Sequence, residues 1–450
     1  MWCEYFAPKS KRVDETTRYD RFRMRLGVDR EDRYVDEKFP NAYVVKSRWG
    51  MPALQETIRA MIRGELAIHG ASLWLLGKNV YGKADVLVRS DKHASDLGGY
   101  HYRVKEVKNS KVLKEYHQLQ AATYTWILSE MQGYCPDTFD VVLKEGEGEE
   151  TIAYQDVAAA MNDHLSQWQS IRDGRSSPSP LGYDTTPSPW RRYSNEFLTH
   201  CDDISLLPGV GPKTAVKLRD RELGTLDDIR NLGPDGCIRE FNNDHRYYHA
   251  LAYQSGKPVF RPGSSVSIPS QKRIVYLDVE DVSVLDGEYV TRPHVYMIGV
   301  ATPNGDTKVW TARGQDDEGR IWQEFLDWIG EPNEVVIYCW SNYEFGKLLQ
   351  AATDHTALAP RLIAAEAALV DQKEQVKHRP YFPVSSYSIK SVAPVCGFYW
   401  SQDDVDGQTA QLMYTDWLRT GDDTIIRKVE QYNREDVLAM LAVDRYVNEA

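Results

Sequence analysis

The 450-residue chain is poor in the features that would place it in several large classes. Its six cysteines, at 3, 135, 201, 237, 339 and 396, are scattered, with no CxxC or CxxH pair. That spacing indicates no zinc knuckle, iron–sulfur cluster or disulfide frame, and leaves six free thiols. No run approaches the roughly 18 apolar residues of a membrane span, so no membrane partner is expected. The opening stretch, MWCEYFAPKSKR, has basic residues but no apolar segment of the kind a signal peptide needs, and a cytoplasmic location is the expectation. Nor is there an excess of positive charge. The formal net charge is −12, which argues against a protein that coats nucleic acid non-specifically but not against an enzyme whose sites are carboxylate clusters.

What is present is enough apolar material for more than one core. With 42% hydrophobic and 11% aromatic residues over this length, two to three domains are expected. Charge is unevenly distributed: residues 1–50 carry 12 Lys/Arg against 9 Asp/Glu, and residues 401–450 carry 5 against 11. Two stretches rich in Pro, Ser and Gly, DGRSSPSPLGYDTTPSPW at 173–190 and GKPVFRPGSSVSIPS at 256–270, read as linkers. The expected division is therefore a block at 1–172, a linker at 173–200, a short helical block at 201–255, a linker at 256–270 and a final block at 271–450. The final block reads as antiparallel strands with a hairpin at Asn304-Gly305, an amphipathic helix near 318–330 and a further strand, EVVIYCW. Twelve tryptophans, Trp322 and Trp328 among them, read as core.

Three groups of residues stand out against this background. In VYGKADVLV, residues 80–88, Asp85 interrupts a β-branched apolar run, a placement that requires a partner, a proton or a metal. The strand that follows, YHYRVKEVKNS, places Glu106 and Lys108 two apart and so on one face. Asp85 and Glu106 could hold a divalent cation while Lys108 orients a hydroxide. On the next helix Gln120 and Tyr124 lie one turn apart, able to face the same site. These elements, G-x-x-D at Gly82–Asp85, E-x-K at Glu106–Lys108 and Q-x-x-x-Y at Gln120–Tyr124, resemble the RecB-like branch of the PD-(D/E)XK nucleases. The resemblance implies a further acidic ligand on an early helix, for which RLGVDREDRYV offers Glu31.

The second group, ISLLPGVGPKTAVKLRDR at 204–221, has a Pro-Gly-Val-Gly turn with Pro212 at a helix start. Its turn could bind a phosphate oxygen at the helix N-terminus, and Lys213, Lys217, Arg219 and Arg221 make the helix basic. It resembles a helix-hairpin-helix, a motif that grips backbone without reading sequence. Gly209, Val210, Gly211, Lys213, Thr214 and Lys217 are the implied contacts.

The third group is Asp278 and Glu280, two apart in RIVYLDVEDVSV, and Tyr432 and Asp436, at i and i+4 in VEQYNREDVLAML. D-x-E on a strand and Y-x-x-x-D on a late helix resemble the ribonuclease-H-like DEDDy exonucleases, in which four acids hold two metals about 3.5–4 Å apart. The third acid would be Glu344 in YCWSNYEFGKLL, with Trp340 where the family carries Asn. Asp371, in ALVDQK, reads as a helix or turn residue.

The fold expected is thus multi-domain α/β: a PD-(D/E)XK restriction-endonuclease-like core, a helix-hairpin-helix and a ribonuclease-H-like mixed sheet with helices. That order of parts resembles RecB-family nucleases built from the same three pieces. The resemblance implies a nuclease dependent on Mg²⁺ or Mn²⁺, acting on DNA at single strands or ends in repair, processing or defence, with a helicase or a repair or defence complex as the expected class of partner. Two other readings stand beside it: a binding or scaffold protein with one or both sites silent, favoured by the departure at Glu344, and an exonuclease directed at RNA, since the metals alone do not choose the sugar.

Overall fold

The computed structural model describes every residue except 1–2, 5–6, 145–147, 177–180, 262–271, 284–289, 378, 403 and 450. The chain forms two compact units, one of Asp20–Ser179 and one of Met1–Tyr19 with Pro180–Ala450.

In the first unit, α1 (Arg18–Lys38) and α2 (Met51–Arg63) precede a six-stranded sheet. Its strands are β1 (Tyr43–Val44), β2 (Ala67–Leu75), β3 (Val80–Ser90), β4 (His101–Val107), β5 (Thr138–Val142) and β6 (Glu149–Ala153), in that spatial order. β1 and β2 run parallel, as do β4 and β5; the other neighbours are antiparallel. Between β4 and β5 the chain crosses over through α3 (Glu115–Gln132), the connection that a parallel pair requires. Its Ala121 and Ala122 let that helix lie close on Leu73, Leu87 and Val104 of the sheet, and α4 (Tyr154–Arg172) adds Val157 and Met161 to the same core.

The second unit opens with helices. The expected linker at 173–200 is not structureless throughout: α5 (Arg191–His200) forms within it, because Leu198 and the preceding Trp190 supply buried apolar anchors. Residues 177–180 of that linker and 262–270 of the next lie outside the described residues. The hairpin has a single 3₁₀ turn at Ile204–Leu206, then α6 (Pro212–Arg219), followed by α7 (Leu226–Phe241) and α8 (His245–Ser255). Ile204, Leu206, Val210, Ala215 and Leu218 share one core with Leu226 and Ile229. The extreme N-terminal segment belongs to this unit as well, and not to the first block as its sequence position suggests. Glu4 accepts from the indole of Trp190 at 2.7 Å, Ser188 accepts from the amide of Glu15 at 3.0 Å, and Arg18 pairs with Asp416.

The rest of this unit is a five-stranded mixed sheet made of β7 (Arg273–Val282), β8 (His294–Ala301), β9 (Thr307–Thr311), β10 (Val335–Cys339) and β11 (Leu369–Asp371), in spatial order β11-β10-β7-β8-β9. The first three strands form an antiparallel meander, and β10 and β11 join parallel to β7. The hairpin between β8 and β9 turns at Gly305, whose φ of 94° only glycine adopts freely. One face is covered by α9 (Glu318–Ile329), α10 (Tyr343–Asp354) and α11 (Ala359–Glu366), with Trp322 and Phe325 fully buried. The other is covered by α12 (Gln372–Val376), α13 (Ile389–Val395), α14 (Gly407–Thr420) and the long α15 (Asp423–Glu449), whose Val437, Met440, Leu441 and Val443 form its apolar stripe.

One close approach fixes how α15 sits on the sheet. Gly299 lies opposite Asp278 in the β7–β8 register, and a Cβ there would fall 1.9 Å from Oδ1 of the fully buried Asn433. Gly299→Ala is therefore expected to push Asn433 and α15 off β8 and to destabilise the protein by about 1–3 kcal/mol, the range for overpacking a core. Thermal or urea unfolding checks this, and an unchanged midpoint would mean that the helix is free to yield.

Candidate functional site

In the C-terminal sheet, strand periodicity puts Asp278 and Glu280 on the face that α15 covers, and the helical i, i+4 spacing brings Tyr432 and Asp436 to them. Ligand oxygens of Asp278, Glu280 and Asp436 all lie within 4.8 Å of one another. Asp278 accepts a 2.6 Å hydrogen bond from the Asn433 amide, and Asp436 accepts one of 2.7 Å from the indole N–H of Trp400. Lys390, on α13, places its ammonium 3.4 Å from Asp436, over the rings of Trp400 and Tyr432 at 3.9 and 4.1 Å.

Burial holds the Asp278 and Glu280 carboxyls far above the usual range, and the neighbouring carboxylates push them further. Asp436 is raised by burial too, partly offset by Lys390 and the Trp400 hydrogen bond. Burial first, and then the charge of Asp436, keep the Tyr432 phenol protonated. Lys390 is itself lowered by burial against the pull of Asp436. Three carboxylates facing one another with a single lysine at the edge is a donor set for a hard cation with oxygen ligands, such as Mg²⁺ or Mn²⁺.

Glu344 lies outside the 4.8 Å group, yet its charge acts on both Asp278 and Glu280. It lies in the first turn of α10, buried, and its carboxyl faces the Cys339 thiol, the Ser341 hydroxyl and the charge of Asp371. Burial raises it to about 7, and its Oε2 has no hydrogen-bond partner. Its neighbours tie the helix to the sheet. Tyr343 hydrogen-bonds Asp281 through its hydroxyl, and Lys347 holds the other Asp281 oxygen at 2.6 Å, so α10 is pinned to the strand beyond Glu280. A β-bulge between Glu280 and Asp281 turns Asp281 towards these partners. Asp371 caps α12, accepting from the Glu374 amide at 3.2 Å.

In the first unit, the other predicted residues also meet. Asp85 accepts from the Val107 amide at 2.7 Å, and Glu106 accepts from the Asp85 amide at 3.1 Å. The Lys108 ammonium donates to Glu106 at 2.6 Å and lies 3.7 Å from Asp85. Burial pushes Asp85 up to about 6 despite Lys108, and burial with the Asp85 charge pushes Glu106 up to about 8. Burial works against the Lys108 ammonium, yet the two carboxylates outweigh it and raise its pKa. Gln120 donates to the Tyr124 hydroxyl at 3.0 Å, and the Tyr124 ring packs where a Cβ on Gly82 would stand, 2.2 Å away. Glu31, on α1, is tied to His69 at 2.9 Å and is close enough for its charge to act on Asp85.

The hairpin residues divide. Gly209, with φ +78°, and Gly211 both border open space, and Lys213 and Lys217 are exposed on α6 beside the half-buried Thr214. Val210 has nothing to offer a phosphate, because its side chain is core and its amide donates to Leu207 at 3.1 Å. Arg219 and Arg221 also have internal roles, holding Asp203 and Glu240.

Sequence reasoning missed Asn433, Lys390, Trp400 and His69. A signal existed for Asn433 alone, three residues before Asp436 on the same helix face. The others reach their sites from separate elements.

Residues 275–448 match the family model RNase_H_2, described as the RNase H superfamily. That stretch of the chain is an RNase-H-like domain, of a superfamily whose nucleases use divalent metal ions. No curated protein matches the chain. Among solved structures, the family B DNA polymerase from the hyperthermophilic archaeon Pyrobaculum calidifontis is similar at 14% identity, over 50% of this chain and 37% of that one, with a TM-score of 0.26. The chain thus spans little more than a third of that polymerase's length.

Because Asp278 is buried among like charges, Asp278→Asn is expected to raise the thermal midpoint in EDTA, by relief of repulsion. The same variant is expected to lose the rise in midpoint that Mn²⁺ gives the parent protein. Differential scanning fluorimetry with and without Mn²⁺ checks both signs; an equal metal-induced shift in the two proteins would remove Asp278 from the ligands.

Proposed function

We propose that this protein is a metal-dependent nuclease that hydrolyses DNA phosphodiester bonds, at single strands or ends. The observation that carries the reading is the convergence of Asp278, Glu280 and Asp436 within 4.8 Å in an RNase-H-like domain. These three would hold Mg²⁺ or Mn²⁺, which when bound supplies Lewis-acid activation of the phosphate and of the attacking water. The chain's own part is to hold the carboxylates at fixed positions: Asn433 fixes Asp278, and Trp400 with Lys390 fixes Asp436. The Tyr432 hydroxyl, beside Asp436 and kept protonated, is placed to orient the water. Polarity 3′→5′ is the expectation that goes with the DEDDy pattern.

A second catalytic site, of PD-(D/E)XK type, belongs to the same proposal. Asp85 and Glu106, with Glu31 beyond them, would be its metal ligands, Lys108 its cationic helper, and Gln120 and Tyr124 its supporting residues. The hydrogen-bonded Asp85–Glu106–Lys108 set favours this assignment. The turn at Gly209 and Gly211, with Lys213, Thr214 and Lys217, is assigned to the nucleic-acid backbone. One observation favours a reading in which the C-terminal site is silent: Glu344 is not within the 4.8 Å group, although its charge reaches Asp278 and Glu280.

End-labelled DNA and RNA, single- and double-stranded, with Mg²⁺ or Mn²⁺, separate these readings. Asp85→Ala and Lys108→Ala are each expected to remove one metal-dependent activity with the fold intact. If both cut like the parent with the C-terminal site disabled, the first site is not catalytic. In an Asp85→Ala background, Tyr432→Phe is expected to slow cleavage by about 10²–10⁴-fold, the range for a group that positions or transfers a proton. Asp436→Asn should lose both turnover and metal binding. Normal metal binding by Asp436→Asn, with Tyr432→Phe at the parent rate, would make this domain a scaffold; preference for RNA would redirect the substrate.

A further inference from the structure

The hairpin and the C-terminal sheet belong to one compact unit and share a cleft of about 480 Å³. Its lining brings together Pro208 and Gly209 of the hairpin turn, Lys373 and Lys377 of the α12 region, and Ser341 and Ser388. Two of these residues link the cleft to the carboxylate site. Ser341 faces Glu344, whose charge acts on Asp278 and Glu280, and Ser388 caps α13 two residues before Lys390, which lies 3.4 Å from Asp436. Trp340 and Tyr387, also in the lining, are joined by the indole donating to the Tyr387 carbonyl at 2.8 Å.

We propose that this cleft is the track along which a single polynucleotide strand runs from the hairpin turn into the Asp278–Glu280–Asp436 site. The inference rests on the nuclease reading and deepens it, because it makes the hairpin and the carboxylates successive contacts on one substrate.

The chemistry of the lining fits a phosphodiester backbone. Two lysines face the cleft against one acid, Glu374, in a chain whose net charge is −12. Glu374 is exposed and only 3.3 Å from Lys377, a surface pair that solvent weakens. Hydroxyls supply the remaining polar groups. Ser386 accepts from the Ser388 amide at 3.1 Å, and as a hydroxyl it also carries a proton to donate to a phosphate oxygen. No added side chain would crowd Gly209, which meets open space and lets backbone approach a ligand closely.

The size suits a single strand. A cleft of about 480 Å³ is of the size that holds a drug-sized group, such as a nucleotide or two of one strand. Such contacts hold the backbone and do not read bases.

The test uses the full chain in an Asp85→Ala background, so that the first site does not cut. Binding of fluorescein-labelled 12-mers of unrelated sequence, as DNA and as RNA, is measured in EDTA across a salt series for the parent and for Lys373→Gln/Lys377→Gln. Loss of two phosphate contacts should lower the slope of log K against log salt by about 1.4, at about 0.7 per contact for single strands, equally for all sequences. In Mn²⁺, the ratio of kcat/KM on the 12-mer to that on p-nitrophenyl thymidine 5′-phosphate should fall, since the small substrate cannot reach the lysines. An unchanged slope overturns the track. A changed slope with an unchanged ratio also overturns it, by placing the bound strand away from the carboxylates. Absence of turnover on either substrate in every form would instead overturn the nuclease reading, and the slope would still decide whether the cleft binds a strand. A changed slope confined to RNA or to DNA would name the sugar.

Discussion

Repulsion among buried carboxylates is the constraint on which the C-terminal unit depends. Two such charges about 4 Å apart repel by on the order of 4 kcal/mol at an effective dielectric of about 20, and here three lie within 4.8 Å of one another. A hydrogen bond to a charged group returns only about 1.5–3 kcal/mol. The bonds from Asn433 and Trp400 therefore orient the acids without offsetting their mutual repulsion. Protons or a divalent cation must supply the rest, and the raised pKa values are the same imbalance expressed in protons.

The surrounding architecture keeps that repulsive set from relaxing. β7 is the central strand, hydrogen-bonded on both sides, so Asp278 and Glu280 cannot swing away with their backbone. Gly299 opens the space through which Asn433 reaches Asp278, and the apolar stripe of α15 anchors the helix that carries Tyr432 and Asp436. On the other side the bulge after Glu280 gives Asp281 to Tyr343 and Lys347, a structural use of an acid next to a functional one.

The first unit meets the same difficulty with a different answer. There Lys108 sits directly on Glu106 and near Asp85, so the central cation is built in, although burial still raises the two carboxyls, to about 8 and about 6. The C-terminal group has its lysine at the edge, leaving the centre to whatever cation binds. Two acidic clusters in one chain thus differ in how much positive charge the protein itself supplies.

Relations within one element were legible in the sequence: Asp278 with Glu280 and Glu106 with Lys108 by the two-residue period of a strand, Tyr432 with Asp436 and Gln120 with Tyr124 by the helical turn. The meander with its turn at Gly305 and the helix at Glu318–Ile329 were legible for the same reason. What the sequence could not determine were relations between elements, which depend on register and packing. Glu344 meets Cys339 and Asp371 as well as the charges of Asp278 and Glu280, while Tyr343 and Lys347 beside it bind a strand residue some 60 positions earlier. Val210, Arg219 and Arg221 look like ligand contacts in a basic hairpin, and become core or internal ion pairs once α6 and α7 fold together. Lys390 and Trp400 join Asp436 from loops and helices with no periodic link to it. Local periodicity decides which face a side chain shares with its near neighbours, whereas only the packed tertiary structure decides what that face meets.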